Sequence, residues 1–259
     1  MRNWVLKSAT MPKNEMLIFM PTYNEAGHVP IIVERIQATG LAADIIFLDD
    51  NSTDGTGEVI DEYAEKFENI FAIHRAGKLG IGSAHLDGIR YAYDQGYRIL
   101  ITMDSDLVHK PEDIPAFLNA SEHADIVVGT RFLLKDSLAE WNLFRKTLTH
   151  LGHILTRLFL RHNYDATGGF RVYRLDHIRR ETFDLVKSRD YEFFYTSLTI
   201  LHLNGYPIAE VPIELPGRVY GHSKMQLRHM AKSVLLMMKL GLKIQFSRRS
   251  LLLDGDLEK

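Results

Sequence analysis

Ile99-Leu100-Ile101-Thr102-Met103-Asp104-Ser105-Asp106 is an apolar run that ends in two carboxylates one residue apart. Residues 98–103 predict a buried strand. A strand turns alternate residues to one face, so Asp104 and Asp106 at its end can reach one ion. Carboxylate oxygens are hard ligands suited to Mg²⁺ or Mn²⁺, ions that also bridge a diphosphate. The plainer alternative is a solvated turn ahead of a helix that Pro111 starts. The same layout recurs along the chain. Residues 16–20 predict a strand that runs into Pro21-Thr22-Tyr23-Asn24-Glu25, and 44–48 one that runs into Asp49-Asp50-Asn51. Residues 70–74 predict a third strand, and 126–128 one that leads into Gly129-Thr130-Arg131. Helical spacing falls between them at 29–37, at Val59, Ile60, Tyr63, Ala64 and Phe67, and at 83–95. Strands alternating with helices predict an α/β domain with a mostly parallel sheet covered on both faces. In open α/β sheets ligands bind outside the carboxyl ends of the strands. Glu25, Asp50, Asp104, Asp106 and Arg131 all fall there, which suggests one cleft. Further on, 191–204 reads as a helix, 208–215 with Pro212 inside as an edge strand, and 227–246 as a long helix.

The 259 residues are 46% hydrophobic and 25% charged, with a formal charge of −2. That balance fits a globular chain with a substantial core and gives no bulk attraction to nucleic acid. Cysteine is absent, which excludes thiolate catalysis, disulfides and Cys-ligated zinc. Residues 1–10 carry Arg2 and Lys7 without a long apolar stretch, so a secretory signal is not expected there. No segment approaches the roughly 20 apolar residues that span a bilayer. The twelve histidines are scattered. His150 and His153 sit three apart on a helical stretch, where a surface or lipid-facing position accounts for them better than a metal pair.

Two loops carry further chemistry. Asp49-Asp50-Asn51-Ser52-Thr53-Asp54-Gly55-Thr56 includes a helix cap, but Asp49 and Asp50 exceed what capping needs and can accept hydrogen bonds from a base or ribose. His74-Arg75-Ala76-Gly77-Lys78-Leu79-Gly80-Ile81-Gly82-Ser83 reads equally well as a phosphate-binding loop or as a glycine-rich turn before a helix. It is not a Walker A pattern, because no Gly-Lys-Ser/Thr occurs.

Taken in order, Pro21–Glu25, Asp49–Thr56, Gly77–Gly80, Asp104–Asp106 and Gly129-Thr130-Arg131-Phe132 resemble the motifs of family 2 glycosyltransferases of the GT-A fold. Asp165-Ala166-Thr167-Gly168-Gly169-Phe170-Arg171-Val172-Tyr173-Arg174 and Gly217-Arg218-Val219-Tyr220-Gly221-His222-Ser223-Lys224 narrow the likeness to the dolichyl- and polyprenyl-phosphate hexosyltransferases. The resemblance covers about residues 16–240. It implies a Rossmann-like GT-A domain over 1–226 and a C-terminal amphipathic helix and tail over 227–259, close to a membrane. It implies that Pro21, Tyr23, Glu25 and Asp50 hold the base and ribose of a nucleotide-sugar, GDP-mannose or UDP-glucose, with Lys78 and Ser105 also on the donor. It assigns Asp104 and Asp106 to Mg²⁺ or Mn²⁺, Arg131 and Arg145 to a lipid phosphate, and Arg218 and Lys224 to a loop closing over the donor's phosphates. The implied reaction is inverting transfer of mannose or glucose to a polyprenyl phosphate. It would run on the cytoplasmic face of a membrane, with or without a separate membrane-anchor subunit and with no nucleic-acid partner.

The chain departs from the family pattern at Val108, where a small polar residue or Gln is usual, at Phe194 and Thr196, where Gln and Glu are usual, and at Gly217, where an acid is usual. Three rivals follow. A saccharide or protein acceptor would need a base carboxylate, for which Asp165 is the nearest candidate. A catalytically inactive nucleotide-sugar-binding subunit would not need intact Asp104, Asp106, Arg131 and Arg218. A NAD-dependent oxidoreductase would need a Gly-x-Gly-x-x-Gly after the first strand, which is missing.

For the C-terminal helix, Leu227, Met230, Ala231, Val234, Met237, Met238 and Leu242 predict one apolar stripe, with Arg228, Lys232, Lys239 and Lys243 along one side and Arg248 and Arg249 following. Leu148, Leu151, Leu155, Leu158 and Phe159, with Arg157 and Arg161, repeat the pattern. Each stripe suits either the domain's own core or a membrane surface.

Overall fold

The computed structural model describes residues 4–7, 13–134, 137–138, 141, 143–215 and 227–254. Eight strands form one sheet. They are β1 (Trp4–Lys7), β2 (Met16–Thr22), β3 (Asp44–Asp49), β4 (Ile70–Arg75), β5 (Ile99–Thr102), β6 (Ile126–Thr130), β7 (Arg171–Arg174) and β8 (Ile208–Pro212). Their order is β1-β4-β3-β2-β5-β7-β6-β8. Strands β4, β3, β2 and β5 are parallel, and β8 runs parallel to β6. β7 enters antiparallel between β5 and β6, and β1 pairs antiparallel with β4. β8 is an edge strand, as Pro212 predicts. β1 and β7 were not anticipated as strands. Both are only four residues long and lie in reverse direction, so the βαβ rhythm does not announce them.

The helices are α1 (Val29–Ala38), α2 (Thr56–Lys66), α3 (Ile81–Gln95), α4 (Ile114–Ala120), α5 (Leu143–Leu160), α6 (Glu181–Asp184), α7 (Glu192–Leu203) and α8 (Leu227–Phe246). Alternation along β2 explains the two cores. Leu17 and Phe19 face α3, α7 and α8, while Ile18 and Met20 face α1, α2 and α4. Both faces are covered, so the central strands are apolar throughout rather than alternating. Pro21 is tolerated in β2 because pairing with β5 runs only from Met16 to Phe19, short of the proline.

After β4 the chain crosses back to place β5 on the other side of β2. The carboxyl ends of β2 and β5 therefore flank the point where the winding reverses, the position at which open sheets form a ligand crevice.

Helix α8 is not a single apolar stripe. Met237, Leu240 and Ile244 join the core, whereas Leu235, Met238, Leu242 and Phe246 are exposed at steps of three and four. α5 divides in the same way: Leu155 and Phe159 pack inward, and Leu151, Ile154 and Leu158 face out. The expected stripe held residues of both faces, because sequence spacing alone does not say which apolar side meets the neighbouring helices. The two helices pack closely, and a Cβ added at Gly241 would come 2.9 Å from the Phe159 carbonyl oxygen.

Candidate active site

The loops after β2 and β3 lock together. The Asn24 N–H donates to Ser52 Oγ at 2.8 Å, the Thr53 N–H to Asn24 Oδ1 at 2.9 Å, and the Glu25 N–H to Thr56 Oγ1 at 2.8 Å. Asn24 and Asn51 take left-handed backbone, φ 55° and 61°, which asparagine accepts more readily than most residues. Asp49 closes its own turn through Ser52 and faces His74 at 3.6 Å. Burial pushes the Asp49 carboxyl up, but hydrogen bonds from His74 and Ser52 outweigh it and hold it below the usual range. Asp49 is therefore a structural residue of the loop.

Asp50 has a different partner. Its Oδ1 accepts from Arg75 Nη1 at 2.8 Å. Burial raises the Asp50 carboxyl against the pull of that guanidinium. Arg75, 4% exposed, also donates to Ser83 Oγ at 2.6 Å and lies 3.3 Å from Asp87. Arg75 was not singled out from the sequence, although it ends β4 just as Asp50 follows β3. Tyr23 carries the Lys78 ammonium 3.8 Å above its ring, and Glu25 pairs with His28 at 2.5 Å.

Two glycines of the loop before α3 pack closely against the 189–190 segment. A Cβ at Gly80 or Gly82 would approach the backbone of Arg189 or Asp190 to 2.6 Å, and Gly80 has φ +98°. The Ser83 N–H, in the first turn of α3, donates to the Arg189 carbonyl at 2.9 Å. A larger cavity of about 770 Å³ lies beside this helix, lined by Arg75, Ser83, Asp87 and Arg189 among others; no residue assigned above to donor, metal or acceptor lines it.

A cavity of about 140 Å³ at the ends of β5 and β6 brings together Asp104, Asp106 and Arg131 with Val108, His109, Thr167 and Gly169. Asp104 keeps 40% of its side chain exposed. Ser105 is buried at 2% and does not line the cavity. Among the described residues no three His, Asp or Glu side chains converge into a closed metal cage. Two carboxylates on an open cavity nevertheless fit Mg²⁺ or Mn²⁺, which are commonly held by one or two protein carboxylates, water and substrate phosphates.

Arg131 forks onto Asp165, Nε to Oδ2 at 2.8 Å and Nη2 to Oδ1 at 2.6 Å, and also donates to Thr167 Oγ1. Asp165 is 0% exposed. Burial would raise its carboxyl, but Arg131 outweighs that and holds it below the usual range. The Asp165 N–H donates to Glu210 at 2.7 Å. Arg171, fully buried, donates to the carbonyls of Ala166, Gly168 and Phe194 and to Ser197. It ties the 165–174 motif to α7, so this motif's arginine is a structural hub.

Phe132, next to Arg131, stacks on His153 of α5 at 3.9 Å, with His150 beside it. Leu133 and Leu134 are exposed, as are Leu151, Ile154 and Leu158 on α5. An apolar surface therefore runs outward from the cavity's arginine. His85 is a core residue among Phe19, Phe193 and Phe194, where burial pulls its pKa down to about 3. Arg218 and Lys224 lie outside the described residues, as does the side chain of Arg145.

Residues 17–181 match the family described as Glycosyl transferase family 2. The undecaprenyl-phosphate mannosyltransferase of Micrococcus luteus is 35% identical over 211 residues, 81% of this chain and 87% of that protein. The polyprenol monophosphomannose synthase of Mycolicibacterium smegmatis is 31% identical over 241 residues, 92% of this chain and 91% of that one. In fold, the chain is similar to glucosyl-3-phosphoglycerate synthase of Mycobacterium tuberculosis in complex with Mn²⁺, UDP and glucosyl-3-phosphoglycerate. The TM-score is 0.58 at 18% identity, covering 93% of this chain and 81% of that one. The sheet and its flanking helices are thus a GT-A fold, and the chain belongs to glycosyl transferase family 2, with a polyprenyl-phosphate mannosyltransferase-like sequence.

Proposed function

We propose that this glycosyltransferase moves a hexose, mannose or glucose, from a nucleotide-diphosphate sugar to a polyprenyl phosphate at a membrane surface, with inversion in a single displacement. The observation that carries the reading is the continuity of Arg131 with an exposed apolar surface. A cation lines the cavity that holds Asp104 and Asp106, and its neighbour Phe132 leads onto the apolar face of α5. A phosphate attached to a long hydrocarbon tail matches that surface. The mannosyl transfer to polyprenyl phosphates named for the two bacterial relatives supports the same acceptor.

The residues divide the work. Tyr23, Glu25 and Asp50, with Pro21 shaping the strand end, hold the base and ribose, and Arg75 keeps Asp50 in place. Asp104 and Asp106 would hold a divalent metal, which neutralises the diphosphate leaving group when bound. The Mn²⁺ in the M. tuberculosis neighbour supports that choice. Lys78, Arg218 and Lys224 are assigned to the donor's phosphates. Arg131, steadied by Asp165, and Arg145 meet the acceptor phosphate. That phosphate is already anionic, so alignment with the anomeric carbon replaces deprotonation as the protein's main task. A saccharide or protein acceptor would require a general base, and Asp165 does not suit that role, being fully buried with both oxygens bonded to Arg131.

Among the described residues no helix is long and apolar enough to cross a membrane. The exposed rows on α5 and α8, with Lys239, Lys243, Arg248 and Arg249 also exposed, fit a helix pair lying in the headgroup plane. The test is transfer of label from GDP-mannose or UDP-glucose into a chloroform-soluble, mild-acid-labile product with undecaprenyl phosphate and Mn²⁺. Label appearing only in a water-soluble product, with the lipid present, would overturn the acceptor.

A further inference from the structure

His109 lies five residues beyond Asp104 and lines the same cavity. The Asp104 backbone N–H donates to His109 Nδ1 at 2.9 Å. An amide N–H only donates, so Nδ1 presents a lone pair and the ring's proton sits on Nε2. The ring is 5% exposed and stacks on Phe170 at 5.1 Å, and Phe170 stacks on Phe117 of α4 at 4.2 Å. The imidazole is thus fixed in place by the core beneath the cavity.

The turn between the two residues needs such fixing. Leu107 is in the left-handed region, φ 63°, which a branched side chain seldom adopts. The Val108 N–H donates to Asp106 Oδ1 at 3.2 Å, so Asp106 braces the turn from its own side chain. The Asp104 peptide is braced instead by His109. Position 108 is an apolar valine, so the turn offers no third oxygen or nitrogen ligand there. The placement of the two carboxylates then matters the more.

We propose that His109 is a positioning residue for the divalent metal: its Nδ1 lone pair fixes the Asp104 peptide and thereby aims the Asp104 carboxylate at the ion on the donor's diphosphate. The inference rests on the metal-dependent donor reading above. Losing a group that orients a metal ligand from behind typically costs about 10- to 100-fold in metal affinity.

Two substitutions separate this role from simple packing. His109→Asn keeps an acceptor near the Nδ1 position; His109→Gln keeps size and polarity but moves the acceptor to the far end of the side chain. Mn²⁺ affinity is read by electron paramagnetic resonance titration with excess GDP and, separately, with excess UDP, alongside the Mn²⁺ concentration that half-activates transfer. The expected result is His109→Asn near wild type and His109→Gln weakened by about 10- to 100-fold, with both still folded, and melting alike, in the absence of metal. If folded His109→Gln binds Mn²⁺ as tightly as wild type, or Asn is as weak as Gln, the positioning role is overturned while the donor reading stands. If wild type itself binds no Mn²⁺ with either nucleotide, both fall together.

Discussion

Two regions at the strand ends, the proposed donor wall and the proposed acceptor wall, are built on different principles. On the donor side, at the ends of β2 and β3, loops 24–26 and 52–56 exchange several hydrogen bonds from backbone N–H groups to side-chain oxygens. Such bonds contribute modestly one by one, about 0.5–1.5 kcal/mol net, and overlap in what they fix. On the acceptor side, at the end of β6, a single buried carboxylate holds the arginine. Asp165 braces Arg131 from 34 residues away and is itself met by Glu210 from β8. Beyond it the surface becomes apolar. The donor wall spreads its stability over many ties, and the acceptor wall concentrates it in one ion pair beneath a greasy exterior.

The largest effect should come at the cavity that holds Asp104 and Asp106. Asp106→Ala removes one of the two carboxylates on the cavity proposed to hold the metal and should lower transfer by at least about 10³-fold, the equivalent of several kcal/mol of leaving-group stabilisation. Its melting temperature should stay close to wild type. Full activity of wild type in excess EDTA would remove the metal from the account altogether.

Next comes the contrast in stability. Asp165→Ala strands a buried guanidinium and should cost about 3–5 kcal/mol in denaturant unfolding. Ser52→Ala, on the donor wall, should cost only about 1 kcal/mol. Equal losses would break the comparison. The sign of the pH effect follows from the lowered Asp165 carboxyl. Its contribution is present in full above the ordinary carboxylate value, near 4, and is lost as pH falls through the lower native value. Asp165→Asn should therefore flatten the acid limb of the stability profile.

The apolar exterior is tested by Leu151→Glu with Ile154→Glu and Leu158→Glu. These side chains are between 48% and 67% exposed, so the fold should keep its melting temperature. Binding to anionic liposomes should fall by at least about tenfold, since even one fully buried side chain of this size is worth about 1.5–3 kcal/mol. Unchanged sedimentation with liposomes would move the membrane contact elsewhere.

The smallest effect belongs to one tie on the donor wall. Lys78→Ala removes a cation over the Tyr23 ring, an interaction of about 0.5–2 kcal/mol. The Michaelis constant for the donor should shift severalfold and unfolding stability should fall by no more than that amount, with liposome binding untouched. A change in acceptor saturation instead would show that the walls are not independent.

The sequence by itself determined the parallel half of the sheet and the strand-end placement of Glu25, Asp50, Asp104, Asp106 and Arg131. Apolar periodicity and chain polarity are local properties, and in an α/β sheet they put every strand-end loop on one edge. Only tertiary structure decided the rest. Two short reversed strands, β1 and β7, carry no periodic signal of their own. The glycines before α3 answer to the backbone of Arg189 and Asp190, more than a hundred residues later, and no local reading supplies that neighbour. Arg75 and His109 matter through partners chosen by packing, Asp50 and the Asp104 peptide. In α8, spacing showed that the helix has an apolar side. Which residues turned inward, Met237, Leu240 and Ile244, and which were left facing out, Leu235, Met238, Leu242 and Phe246, was settled by where α5 and α7 lie. A helix with apolar residues on more than one face has no inside until something packs against it.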